Sequence, residues 1–223
     1  MCSAYLPPIS WFAQLRQGEP CLIDGYEHFH KQTIRNRCTI DSPGGPLQLT
    51  VPIDKANFQP GGKCLMQDVR ISYRQDWQHQ HWNALASSYY NSPFFEYLQD
   101  DFRPFYQQRW EYLMDLNEAL IQKCCELIGL PVTLQRTASF LRPEDSGKQP
   151  PLPVHRHIKE QGEAFPLDAG QAFSPYYQVF AHKHGFLPDL SIIDLIFNLG
   201  PESLLYLNRT AGESECKRCN TRM

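Results

Sequence analysis

A chain of 223 residues, 42% of them apolar, is long enough to bury one sizeable core, and its formal net charge of -3 gives no basic field for general nucleic-acid binding. No apolar run approaches the ~20 residues of a membrane span, and residues 1–5 have neither the basic start nor the apolar stretch of a secretion signal. A cytoplasmic location is therefore expected, where the eight cysteines stay reduced.

Tyr5-Leu6-Pro7-Pro8 is rigid, because each proline fixes its own φ and pushes its predecessor toward an extended shape. Ser10 is placed to cap a short helix carrying Trp11, Phe12 and Leu15, with Gly18 as its stop. Cys21-Leu22-Ile23-Asp24 reads as an apolar strand ending in a carboxylate. With a strand ahead of Pro7 the opening is a β-α-β-like unit, and Asp24 then lies where open α/β sheets gather their ligands. The competing reading makes Asp24 a turn residue before Gly25.

Lys31-Gln32-Thr33-Ile34-Arg35-Asn36-Arg37-Cys38 follows. Read as a strand, it aligns Lys31, Thr33, Arg35 and Arg37 on one almost wholly cationic face. Such a face needs an anionic ligand or internal carboxylates, because Lys and Arg are seldom buried unpaired and Arg offers a planar fork suited to carboxylate or phosphate. A solvated edge strand is the competing reading.

Ser42-Pro43-Gly44-Gly45-Pro46 is a tight turn, and the alternating Leu47-Gln48-Leu49-Thr50-Val51-Pro52 completes a β-hairpin. Residues 54–63 read as a mobile loop that could act as a lid, with Val69-Arg70-Ile71-Ser72 as a return strand. From Asp76 the pattern is helical, with Trp77, His81, Leu85, Ser88 and Tyr89 on one face. A dense aromatic run from Phe94 to Tyr106 reads as core, and Trp110, Leu113, Leu116, Leu120, Cys124 and Leu127 recur at helical spacing until Gly129-Leu130-Pro131. Val132-Thr133-Leu134 is a short strand, and residues 142–170 form a Pro-rich insertion or loop.

Tyr176-Tyr177-Gln178-Val179-Phe180 reads as a strand, and residues 191–198 as a buried helix capped by Asp189 or Ser191. Asp194 and Asn198 are one turn apart on that apolar helix. A buried carboxylate calls for a cation, which the basic segment could supply in a ligand site or in a structural ion pair. From residue 208 onward the chain is polar, and its single C-x-x-C lacks the second pair of a zinc site. One domain over 1–207 with a polar, disordered tail over 208–223 is expected. The fold class is α/β, a mixed sheet with a helical central section, with α+β as the alternative.

All eight histidines fall in H-x-H pairs, at 28/30, 79/81, 155/157 and 182/184. On a strand such a pair could chelate a metal, and His28/His30 and His182/His184 would be the ligands. Chance pairing of exposed histidines is the reading adopted, so no metal and no cofactor are expected.

Several blocks resemble the WbqC-like family, a bacterial group associated by gene context with O-antigen and other surface-polysaccharide clusters. They are Tyr5 to Pro8, Lys31 to Cys38, Leu49 to Pro52, Trp77 to Trp82, Ser92 to Tyr97 and Leu190 to Ser203. By position the resemblance singles out Tyr5, Lys31, Asn36, Arg37, His81, His184, Asp194 and Asn198. The family pattern carries a His-Gln-Pro start and an Asn where this chain has Ser3-Ala4-Tyr5 and Cys38, which speaks against Cys38 as an essential nucleophile.

What the resemblance implies is aminoacyl, glycine or acyl transfer to an amino sugar. In that scheme Lys31, Arg35 and Arg37 hold the phosphate of a nucleotide-linked or phosphate-linked sugar, with Tyr5, Asn36 and Asn198 beside them. His81 or His184 takes the proton from the attacking amine, and Asp24 or Asp194 orients that base. The alternative is a non-catalytic binding or assembly protein that recognises an anionic ligand through a basic pocket. A third reading makes Cys38 a thiolate activated by its basic neighbours.

Overall fold

The computed structural model describes residues 1–15, 18–60, 62–139 and 173–210. The Pro-rich insertion with His155 and His157, and the C-x-x-C, lie outside the described residues. In chain order the elements are α1 (Ile9–Phe12), β1 (Pro20–Ile23), β2 (Arg37–Ile40), β3 (Leu47–Thr50), β4 (Ile53–Asp54), β5 (Arg70–Ile71), α2 (Trp77–Tyr89), α3 (Phe95–Phe102), α4 (Leu113–Ile128), β6 (Thr133–Arg136), α5 (Ala181–His184) and α6 (Ile192–Leu199). A last helix, α7, covers 203–210, so the first residues of the expected tail continue a helix. No helix among the described residues is long and apolar enough to cross a membrane.

Helix and strand are mixed as expected, but the strands form three small pairs. β2 and β3 make the antiparallel hairpin, β4 and β5 a second antiparallel pair, and β1 runs parallel to β6. The β-α-β opening is not formed. Pro7 and Pro8 have no N–H for a ladder, and the segment is held instead by single bonds: Tyr5 N–H to the Ile34 carbonyl, and a bridge between Pro8 and Ser191. The parallel partner of β1 arrives only at Thr133.

Nor is 31–38 a strand. Gln32 has φ of 60°, the Thr33 hydroxyl donates to the His30 carbonyl, and the Asn36 N–H returns to the Thr33 carbonyl, so the chain turns until β2 begins at Arg37. A turn has no period of two, and the expected cationic face does not exist. Residues 176–180 likewise form no strand. The loop over 54–63 is tied down by Phe58, which meets Phe29 edge to face, and by the Gln59 N–H to the Lys63 carbonyl.

Helix boundaries follow their chemistry. Asp76 caps α2 by accepting the His79 N–H, and α4 stops at Gly129, whose φ of 70° places it in the left-handed region. Ser191 caps α6 through the Ile193 N–H. Asp189 serves α1 instead: its carboxylate accepts the N–H and the hydroxyl of Ser10, which lies inside that helix. Burial pushes the Asp189 carboxyl up to about 6.

The core is organised around α6, whose residues from Ile192 to Asn198 are all buried and which packs on α1, α3 and α4. Phe197 collects the rings of Tyr89, Phe95 and Phe102 within 5.4 Å, so much of the aromatic run is indeed core. At the end of α6, Gly200 has φ of +53°, and a Cβ there would stand 2.6 Å from the Phe94 ring. Gly200→Ala is expected to destabilise the protein by about 3 kcal/mol, from backbone strain and overpacking together, as a lowered urea midpoint. An unchanged midpoint would show that the Phe94 contact yields freely.

Candidate functional site

The basic segment places its three cations in three settings. Arg35 is buried and bidentate on Glu27, with Nε to Oε1 at 3.0 Å and Nη2 to Oε2 at 2.6 Å, while Nη1 donates to the Thr33 hydroxyl. Its fork is already occupied, so it neither neutralises Asp194 nor faces a ligand. Arg37 is half-buried and donates to Gln48 across the hairpin, and Lys31 is exposed. Asn36 is buried and gives its amide to the Val51 carbonyl, fastening the base of the hairpin. Asp24 lies near the Arg35 pair, where its charge is felt by Glu27 and Arg35, and its carboxylate accepts the Tyr26 N–H and the Thr137 hydroxyl.

Tyr5 and His81 meet inside the core. The Tyr5 hydroxyl is 2.9 Å from His81 Nδ1 and 3.0 Å from the Tyr106 hydroxyl, and a ring N–H of His81 serves the Thr50 carbonyl. Burial lowers His81 to about 4, so the ring is neutral at pH 7 and locked between two partners. Cys38 borders the same cluster. It is buried, and burial drives its thiol far above the ordinary range, which removes the activated-thiolate reading.

His184 has a different environment. It is the last residue of α5, its side chain 20% exposed, and Nε2 lies 3.0 Å from Oδ1 of Asp41, whose side chain is 1% exposed. Asp41 follows the last residue of β2. Burial raises its carboxyl, against which the His184 charge and the N–H groups of Ser42 and Phe180 act. The other ring nitrogen of His184, Nδ1, is 3.2 Å from the Gly185 carbonyl.

Behind this pair stands Asp194 with four neutral donors. Oδ1 accepts from the Tyr89 hydroxyl at 2.9 Å and from Asn198 Nδ2 at 3.4 Å; Oδ2 accepts from the Tyr176 hydroxyl at 2.5 Å and from Gln178 Nε2 at 3.1 Å. The expected cation is replaced by hydroxyls and amides. Burial pushes the Asp194 carboxyl up to about 6, with the three stronger hydrogen bonds pulling down and the charge of Asp41 pushing further up. The early hairpin and the late helix do meet here, through Asp41, Tyr89 and Asp194 rather than through arginines.

The model of the WbqC-like protein family matches residues 3–164. The chain belongs to the WbqC-like protein family. Uncharacterized protein Rv1507c of Mycobacterium tuberculosis (strain ATCC 25618 / H37Rv) is 25% identical over 223 residues, which span 92% of this chain and 94% of that protein. No solved structure matches the chain. Asp41, Tyr89, His81 and Arg35 fall inside the WbqC-like match, whereas His184, Asp194 and Asn198 lie beyond it.

Of the WbqC-like positions singled out from sequence, the fold joins Asp194 to Asn198 and Tyr5 to His81, and it sets His184 against a residue that sequence reasoning did not select. Asp41 precedes Ser-Pro-Gly-Gly and looks like any turn-opening Asp. Tyr89, Tyr176 and Gln178 carried no signal beyond their places in apolar or aromatic runs. Glu27, eight residues before Arg35, was legible only as a carboxylate of the right sign. His182 and His184 sit two apart on a helix and so point apart, and His28 and His30 are both exposed. Among the described residues no group of three or more His, Cys, Asp or Glu is placed to hold a metal ion.

Two outcomes follow from these environments. Arg35→Ala should destabilise by about 3–5 kcal/mol, because it leaves the Glu27 carboxylate buried without its partner, whereas Arg37→Ala should stay within about 1 kcal/mol. Urea titrations of both variants test this, and equal losses would contradict it. Asp194 supplies a pH test. Its carboxyl moves from an ordinary 3.8 up to about 6, so its protonation favours the folded state. That contribution is complete below pH 4 and is lost as the pH rises through 6, about 3 kcal/mol at most. Asp194→Asn cannot ionise, so relative to the parent it should gain stability from about pH 4 to about pH 6 and level off above that. Parallel urea-midpoint profiles would contradict the upward shift.

Proposed function

We propose that this WbqC-like protein is a group-transfer enzyme that acylates or aminoacylates the amine of a phosphate-linked amino sugar during surface-polysaccharide assembly in the cytoplasm. The observation that carries the reading is the His184–Asp41 contact: an imidazole open to solvent on one side and set 3.0 Å from a buried carboxylate on the other. That is the arrangement a general base needs, a reachable ring whose positive charge is compensated once formed.

In the reaction the amine nitrogen bonds to the acyl carbon of an activated ester or thioester. The bond to the leaving group breaks and the amine proton passes to His184. At rest both ring nitrogens face acceptors, Nε2 the Asp41 carboxylate and, at 3.4 Å, the Ser42 carbonyl, and Nδ1 the Gly185 carbonyl, so Nδ1 takes the amine proton once its contact with Gly185 opens. Lys31 and Arg37, which form no ion pair with another described residue, are the cations left to hold the phosphate. His81 and Tyr5 serve the core rather than the reaction.

The neutral, enclosed states of His81 and Cys38 favour a second reading, a non-catalytic module that binds the same anion. Small molecules released by denaturing the purified protein and identified by mass spectrometry test both readings. A ring-bearing phosphate is expected, lost from Arg37→Ala and retained by His184→Ala. Turnover of that ligand with an acyl donor, abolished by His184→Ala, marks the enzyme; unchanged chemistry in His184→Ala leaves only the binding module. Retention of the ligand by Arg37→Ala would overturn the anion site in either reading.

A further inference from the structure

The Asp41–His184 pair joins two segments far apart in sequence, and the distance between its members is set by neither segment alone. Two hydrogen-bonded arms reach it from one carboxylate. On the first arm the Tyr89 hydroxyl donates to Asp194 Oδ1 and accepts the backbone N–H of Asp41 at 3.2 Å. On the second, Gln178 donates from Nε2 to Asp194 Oδ2 and to the Leu187 carbonyl at 2.9 Å, while its Oε1 accepts the Leu187 N–H at 2.9 Å. Gln178 thus closes the ten-residue loop from 178 to 187 that carries α5, with His184 inside it.

From these contacts we infer that Tyr89 and Gln178 are positioning residues, each holding one member of the His184–Asp41 pair in register through the shared anchor Asp194. The inference rests on the reading of that pair as a general base, and it assigns roles to two residues outside the reacting pair. The geometry is that of a caliper. Tyr89 is buried and fixed on α2, Asp194 is buried on α6, and Gln178 is buried, so each arm ends on a rigid element while its other end grips a loop. A base must be held to within a few tenths of an ångström of its productive geometry, and loops alone do not supply that. Tyr176 donates to the same carboxylate and accepts from Gln178 Nε2 at 3.2 Å, so it belongs to the second arm.

The ring 15N resonances of His184, read in long-range 1H–15N spectra of the intact protein, test the inference. They report which nitrogen carries hydrogen and whether it is hydrogen-bonded, a property that general loosening of the fold does not shift. Asp41→Asn should move the Nε2 resonance. Tyr89→Phe and Gln178→Leu should each move it in the same direction. Movement in Asp41→Asn with none in Tyr89→Phe and Gln178→Leu overturns the caliper and leaves the pair standing. No movement even in Asp41→Asn overturns the pair and the general-base reading with it. Should the variants fail to fold, amide hydrogen exchange in the unaltered protein decides. The Asp41 and Leu187 amides should exchange as slowly as those of α6, and exchange at the rate of an exposed loop overturns the caliper.

Discussion

A buried carboxylate with no counter-cation among the described residues is the constraint that the rest of this fold accommodates. Desolvating Asp194 costs several kcal/mol even after relaxation. Hydrogen bonds to a charged group return about 1.5–3 kcal/mol each, so the shell from Tyr89, Asn198, Tyr176 and Gln178 is of the size needed to offset that cost, and no single donor is. The donors come from α2, from α6 itself and from the segment before α5. Satisfying one side chain therefore draws three parts of the chain to one point, which explains how an apolar helix tolerates an Asp and an Asn one turn apart.

Arg35 and Glu27 solve the same problem in the opposite way. There the countercharge is local, eight residues away in sequence, and the fork-to-carboxylate geometry fills both partners. Asn117 adds a bond to the Arg35 carbonyl and another to the Ser3 hydroxyl, so the pair also ties α4 to the N-terminal segment. A local solution leaves no charge to share with the late helix. The two buried charges are thus independent, and the long-range ion pair that the sequence suggested is replaced by one short-range pair and one neutral shell.

How far the sequence could be read follows from the same division. Features governed by periodicity and capping were legible: α2, α4 and α6, the β2–β3 hairpin, and the aromatic core around Phe197. The turn over 31–36 was not, because it depends on the Thr33 hydroxyl returning to the His30 carbonyl, and nothing in a run of basic residues announces that contact. β1 and β6 were each readable as strands, but their pairing spans more than a hundred residues and leaves no local trace. The site was half legible. Asp194 stood in the block Leu190 to Ser203 and His184 in an H-x-H pair, whereas Asp41 was hidden in a Ser-Pro-Gly-Gly turn, and it is the tertiary contact with His184 that distinguishes it from an ordinary turn residue.

The two histidines carried forward from sequence show why a residue type alone does not locate chemistry. His81 is enclosed by Trp77, Tyr5 and Tyr106, and its nitrogens serve the Tyr5 hydroxyl and the Thr50 carbonyl. Protonating it would place a charge among aromatic rings with no carboxylate of a described residue beside it, and the downward shift to about 4 records the cost of that burial. His184 ends a four-residue helix, where Gly185 with φ of 79° turns the chain away and leaves one side of the ring open. Its carboxylate partner is the more deeply buried member of the pair. A partly open histidine set beside a buried carboxylate at the end of a short helix is a better candidate base than a histidine enclosed at the centre of the core.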